Sequence, residues 1–231
     1  MGAEKLPLRS IPPNLTVGPL PFTWPRAATV FPPPSSRRRK HFVMKNLAVF
    51  ASGTGTNFEA IAKACAEGVI KARVAVMICD VPGAAVIAKA ERYGVPTFVF
   101  APKSYAGGKA AYEKEIVELL DREKIDLVCL AGYMRIVGDV LLSAYGGRII
   151  NIHPSLLPAF RGAHAVEQAV AYGVKVYGIT IHYVDAVLDG GKIIAQRAFE
   201  YDGNDPEEVH RIGRKIEHAL YIETINKLIS K

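Results

Sequence analysis

Leu47-Ala-Val-Phe-Ala-Ser-Gly-Thr-Gly-Thr-Asn-Phe58 decides the fold, because it carries three kinds of chain in twelve residues. Residues 47–51 are apolar without alternation, the pattern of a strand buried on both faces of a parallel sheet. Gly53 and Gly55 let the backbone turn tightly. A helical pattern over 58–66 follows, ending near Gly68. A helix that starts directly after a glycine loop presents free N–H groups, and these hold an anion such as phosphate. The loop is not a complete dinucleotide fingerprint, since Phe58 stands where the third glycine belongs. Asp80, at the end of the next apolar run, keeps a ribose-binding reading open. No GxxxxGK[ST] is present, which argues against a nucleoside triphosphatase. A phosphate-bearing small molecule explains the loop better, and a plain strand-to-helix turn remains the simpler reading.

Outward from this stretch, apolar runs alternate with helical ones. Strands are predicted at 74–79, 97–100, Leu127–Leu130 and 148–151, with a turn at Pro82-Gly83. Helices are predicted at 85–93, 112–124 and Ala165–Tyr172. The second of these sets Ile116, Leu119 and Leu120 on one face at a 3.6-residue period. Residues 177–184 and 192–197 form a strand pair around Gly190-Gly191. Asp205-Pro206 opens a last long helix, Asp205 as N-cap and Pro206 at the first position. The alternation predicts an α/β fold, doubly wound, with a mostly parallel sheet and an antiparallel strand near one end. Ligands then bind beyond the carboxyl ends of the strands.

The charge of the chain is unevenly placed. The net charge is +7, from 29 basic and 22 acidic residues. Residues 1–43 hold seven of the basic residues, one acid and nine of the fifteen prolines, so residues 44–231 carry 22 basic and 21 acidic residues. The fold is therefore nearly neutral, which speaks against nucleic acid as its ligand. Residues 1–43 read as a disordered Pro/Arg-rich extension, dispensable for the domain at 44–231. Arg37-Arg38-Arg39-Lys40 reads as a solvated charge run more simply than as an import or nucleic-acid patch. A transit segment, or an over-extended start upstream of Met44, are the other readings of the extension. No apolar run approaches the ~20 residues of a membrane span. Cys65, Cys79 and Cys129 have neither metal-ligand spacing nor an even number, which favours a reducing compartment.

Asn151-Ile-His-Pro-Ser-Leu-Leu-Pro158 ends a buried strand. Asn151 and His153 are two apart, so in extended chain their side chains share a face. Pro154 holds His153 in that extended state. An amide and an imidazole thus meet where such sheets place ligands. Asp189, in Leu188-Asp-Gly-Gly191, puts a carboxylate on a loop between two strands, although Asp-Gly is also ordinary turn chemistry. A carboxylate beside His153 favours the imidazolium and supplies an acid near neutral pH.

Ala51-Ser-Gly-Thr-Gly-Thr-Asn57, Leu130-Ala-Gly-Tyr-Met-Arg-Ile136, the 151–158 segment, Gly162-Ala-His164 and His182-Tyr-Val-Asp-Ala-Val-Leu-Asp-Gly-Gly191 occur in that order. Together they make residues 44–231 resemble the folate-dependent glycinamide ribonucleotide formyltransferases of purine biosynthesis. The resemblance implies transfer of a formyl group from 10-formyltetrahydrofolate to the glycinamide amine, with no metal and no NAD. It places Asn151, His153 and Asp189 on the catalytic trio. Gly55, Thr56 and Asn57 fall on the phosphate loop, and Glu217 on a ribonucleotide contact. Met134, Arg135, Ile136 and Val137 line the folate pocket together with Asn151, and the loop from Asp185 to Asp189 closes over the pteridine. Lys109 stands at a folate contact that relatives often fill with Arg, which loses a planar fork. Arg161 replaces a common proline. Small-molecule substrates, a monomer or homodimer, and a cytoplasmic setting follow, or an organelle if residues 1–43 are a transit peptide.

Three rivals share some of these features. A methionyl-tRNA formyltransferase is expected to add a carboxy-terminal domain beyond Glu217. A formyltetrahydrofolate hydrolase is expected to carry a folded regulatory domain where this chain has its proline-rich extension. A non-catalytic nucleotide-binding module leaves the Asn–His–Asp set without a purpose.

Overall fold

In the computed structural model, whose described residues are 44–230, the apolar runs become strands of one sheet and the periodic segments the helices around it. The expected extension at 1–43 lies outside the described residues. The order is β1 (Lys45–Ala51), α1 (Thr56–Ala66), β2 (Ala72–Cys79), α2 (Ala85–Arg92), β3 (Thr97–Val99), a 3-10 turn (Pro102–Ser104), α3 (Gly108–Arg122), β4 (Leu127–Leu130), α4 (Asp139–Tyr145), β5 (Ile149–His153), α5 (Ala165–Tyr172), β6 (Val176–Tyr183), β7 (Ile193–Glu200) and α6 (Pro206–Ile229).

The sheet runs β3-β2-β1-β4-β5-β6-β7. β1 to β5 pair in parallel, while β6 is antiparallel to both neighbours. The expected antiparallel strand near one end is therefore β6. Both faces of β1 are buried, and period-two alternation splits it between two cores. Leu47, Val49 and Ala51 pack with Phe58, Ile61 and Ile225 under α1 and α6. Ala48 and Phe50 pack with Ile116, Leu120 and Leu141 under α3 and α4. Tyr221 of α6 is fully buried, and its hydroxyl lies 2.9 Å from the carbonyl of Leu130 and 3.3 Å from that of Ile150. A buried hydroxyl needs such a partner.

Strand order reverses between β1 and β4: from β1 the chain winds one way to β3, then from β4 the other way. The crevice beyond the carboxyl ends at this switch point is where doubly wound sheets hold ligands. Here it is flanked by residues 52–55 and 131–138.

Several boundaries move. The helix expected at 112–124 begins at Gly108, which puts Lys109 on its first turn. The strand expected at 148–151 runs to His153, so Asn151 and His153 both lie on β5. α4 has no counterpart in the sequence reading, because seven residues are too few to show a period. Its N-terminus is held from outside: buried Glu113 of α3 accepts from the N–H groups of Gly138, at 2.5 Å, and Leu141, at 3.4 Å. Asp205 caps α6 as expected, its carboxylate accepting from Glu207 N at 3.0 Å with Pro206 next in line.

Candidate active site

The β1–α1 loop is shaped by backbone. Gly55, the N-cap of α1, has φ +70°, and a Cβ there would overlap the side chain of Val86 on α2. Gly53 O accepts from Val86 N at 3.1 Å, so the loop is tied to α2 as well. No side chain caps α1, which leaves its first N–H groups for an anion. Asn57 Nδ2 donates to Glu217 Oε2 on α6 at 2.9 Å, while Asn57 Oδ1 is buried with no partner. Gly55, Thr56, Asn57 and Glu217, read separately from the sequence, are thus brought to one place.

Across the switch point, Ser52 N donates to Gly132 O at 3.0 Å and Ser52 Oγ accepts from Met134 N at 2.8 Å. Asp80 is buried and accepts from the Ser52 hydroxyl and from Arg135 Nε, the latter at 2.7 Å. Both of its oxygens serve internal donors. Asp80 therefore pins the 131–137 segment to β1 and β2, which corrects the ribose-binding reading. Within the folate set, Met134 is 77% exposed and Ile136 64%. Val137 is instead buried in the core under α3 and α4. The Lys109 stem lies against Gly138, beside this segment. Asp185 accepts from Val187 N at 2.9 Å, closing a turn that leaves Val187 and Leu188 exposed.

β5 and the β6–β7 hairpin assemble the trio. Asn151 and His153 pair across the strands with His182 and Thr180. Asp189 reaches in from the hairpin in left-handed backbone, φ +48°, which Asp tolerates better than most residues. Its Oδ2 accepts from Gly162 N at 2.8 Å and lies 3.4 Å from His153 Nδ1, and its Oδ1 lies 3.5 Å from His182 Nε2. Asn151 Nδ2 is 3.2 Å from the same Nε2. The contacts form one chain: Asn151, His182, Asp189, His153. Asp189 is held down to about 2 by the His182 ring first, and by the Gly162 N–H and the charge of His153, against burial, which acts the other way.

His153 Nε2 lies 2.8 Å from the Phe160 carbonyl. A carbonyl only accepts, so this nitrogen carries the hydrogen and gives it to the loop. The sequence reading missed His182, the Phe160 carbonyl and the Gly162 N–H. His182 lies in the 182–191 motif, and only the β5–β6 register sets it opposite Asn151. Among the described residues, no three His, Cys, Asp or Glu side chains are grouped to hold a metal ion.

A formyl transferase family model matches residues 45–225. The phosphoribosylglycinamide formyltransferase of Bacillus subtilis (strain 168) is 53% identical over 187 residues, covering 80% of this chain and 95% of that protein. The crystal structure of glycinamide ribonucleotide transformylase 1 from Geobacillus kaustophilus is similar at TM-score 0.78 and 51% identity, over 80% of this chain and 99% of that one. The phosphoribosylglycinamide formyltransferase structure from Bacillus halodurans gives 0.78 and 50%, over 81% and 96%.

Proposed function

The chain belongs to the formyl transferase family, and from that premise we propose that it moves the formyl group of 10-formyltetrahydrofolate onto the amine of glycinamide ribonucleotide. The observation that carries this reading is the convergence of Asn151, His153 and Asp189 beside the switch-point crevice, with a phosphate-ready helix start on one side and exposed apolar side chains on the other. The phosphate and ribose go to Gly55, Thr56, Asn57 and Glu217. The folate goes to Lys109, Met134, Arg135, Ile136 and the loop from Asp185 to Asp189, with Val137 acting through its backbone.

The amine nitrogen attacks the formyl carbon, a C–N bond forms and the formyl oxygen takes the electron pair. Asn151 donates to that oxyanion, and preorganised donors of this kind are worth ~10²–10³ in turnover. His153 Nε2–H is the second donor, once the oxyanion takes the place of the Phe160 carbonyl. Asp189 stabilises the His153 imidazolium through Nδ1. Collapse re-forms C=O and expels the folate nitrogen, which gains one proton while the attacking amine loses one. His153 is the acid suited to that exchange at neutral pH. All these side chains come from one chain. The free thiols of Cys65, Cys79 and Cys129 favour the cytoplasm.

The experiment is a formyl-transfer assay with and without glycinamide ribonucleotide. Formylated ribonucleotide appearing only with acceptor is the expected result. Formate and tetrahydrofolate released without acceptor would mean a hydrolase, and formylation of methionyl-tRNA alone would mean the tRNA enzyme.

A further inference from the structure

His182 touches two of the trio, Asn151 and Asp189, although its own ring is only 2% exposed. Its Nδ1 lies 2.8 Å from the Tyr183 carbonyl, so Nδ1 carries a hydrogen. That leaves Nε2 with two neighbours making opposite demands. Asn151 Nδ2, at 3.2 Å, is a donor and needs a lone pair. Asp189 Oδ1, at 3.5 Å, is an acceptor and needs a proton. Only the first of these contacts has hydrogen-bond geometry.

Charge balance points the same way. His153 has given its Nε2–H to Phe160, so a proton drawn in by Asp189 sits on His153 Nδ1, 3.4 Å from the carboxylate. One buried carboxylate compensates one imidazolium, and a second cation there would be left unpaired. The lowering of Asp189 by the His182 ring applies where that carboxylate titrates, near 2.

Resting on the formyl-transfer reading above, the geometry points to His182 as a positioning residue that, in its neutral Nδ1–H form, accepts one hydrogen from the Asn151 amide and fixes which end of that carboxamide is the donor. An unheld carboxamide can turn over and present its oxygen. Oxygen facing the developing oxyanion repels it, where the second N–H of Asn151 stabilises it. The ring therefore selects the productive orientation without touching substrate.

The test is a cycle of variants in the full chain. His182→Phe keeps ring size and removes the acceptor. We expect kcat to fall about 10²-fold, the cost of a misplaced group, with KM for the ribonucleotide unchanged. His182→Gln returns an acceptor near the Nε2 position and should regain most of the loss. In an Asn151→Ala background, His182→Phe should cost little more, since its route of action is gone. Equal costs in both backgrounds, or no rescue by Gln, would overturn the assignment. Should His182→Phe fail to fold, the ¹⁵N spectrum of histidine-labelled wild-type protein at neutral pH decides. A bare Nε2 on His182 supports the proposal, and a protonated one overturns it. This spectrum does not depend on the reaction. Absence of transfer by wild-type protein would sink the function reading alone.

Discussion

The two sides of the switch-point crevice are built by opposite means. On the β1–α1 side the chain is locked: Gly55 leaves no room beside Val86, Gly53 O is bonded to α2, and Asn57 is bonded to Glu217. The groups it offers an anion are largely backbone N–H. On the 134–137 and 187–188 side the backbone is pinned by Asp80 and Asp185, but Met134, Ile136, Val187 and Leu188 stand more than half exposed. One side is suited to a small, highly charged group that needs fixed donors. The other is suited to a flat apolar body that supplies the missing burial itself. Damage on the first side should therefore be felt as folding, and damage on the second as binding.

The largest effect is expected at the centre, which serves both sides. In the mechanism proposed above, His153→Ala removes an oxyanion donor and an acid in one side chain, and each is worth at least ~10²-fold. Turnover should drop by about 10²–10⁴, with both substrates still bound. Stopped-flow or steady-state kinetics check this, and retention of more than about a tenth of wild-type kcat would sink the mechanism.

Gly55→Ala has the next largest effect. Its positive φ and the overlap with Val86 together cost about 2 kcal/mol or more. For a domain of this size that lowers Tm by about 4–8 °C. Gly53→Ala, where a Cβ meets nothing within 4 Å, should leave Tm nearly unchanged. Thermal melts of the two variants side by side settle it. Equal melts would mean the loop is not locked as described.

Asp189 gives a smaller, pH-dependent effect. Its carboxylate is depressed from the ordinary 3.8 to about 2. A depressed carboxylate contributes stability that is present above its unfolded pKa and lost as pH falls through the folded one. The loss therefore lies between pH 4 and 2, and amounts to about 2 kcal/mol. In Asp189→Asn that part of the acid unfolding curve should flatten. A slope identical to wild type in denaturant titrations across this window would contradict the contacts drawn for Asp189.

Much of this was legible in the residues, for identifiable reasons. The doubly wound sheet showed in unbroken apolar runs such as 47–51, since strands buried on both faces have no polar positions to blur them. Asn151 and His153 showed because spacing by two and a following proline fix direction locally. His182 did not, because its importance lies in register: it faces Asn151 only through antiparallel pairing of β5 with β6. Asp80 misled for a similar reason. A carboxylate after the second strand looks like a ribose ligand until Arg135, 55 positions on, is found beside it. Glu113 shows the same limit, since a buried acid that starts a helix from another element leaves no local signature.

The smallest effect is expected on the 134–137 side, proposed above to hold the folate. Met134→Ser and Ile136→Ser remove apolar side chains that are 77% and 64% exposed, so folding has little to lose and Tm should stay within about 1 °C, as for most surface changes. A bound pteridine covering about 40 Å² of either side chain gains about 1 kcal/mol at ~25 cal/mol per Å². Each substitution should then raise KM for the folate about fivefold, since 1.4 kcal/mol is a factor of ten. KM for the ribonucleotide should not move, because the β1–α1 loop and Glu217 are untouched. The control is Val137→Ser, whose side chain is buried in the core. It should lower Tm, as burying a hydroxyl in place of two methyl groups does. If Met134→Ser and Ile136→Ser lowered Tm as Val137→Ser does, this side would be as locked as the other. If they raised KM for both substrates alike, the division of the crevice between the two ligands would be wrong.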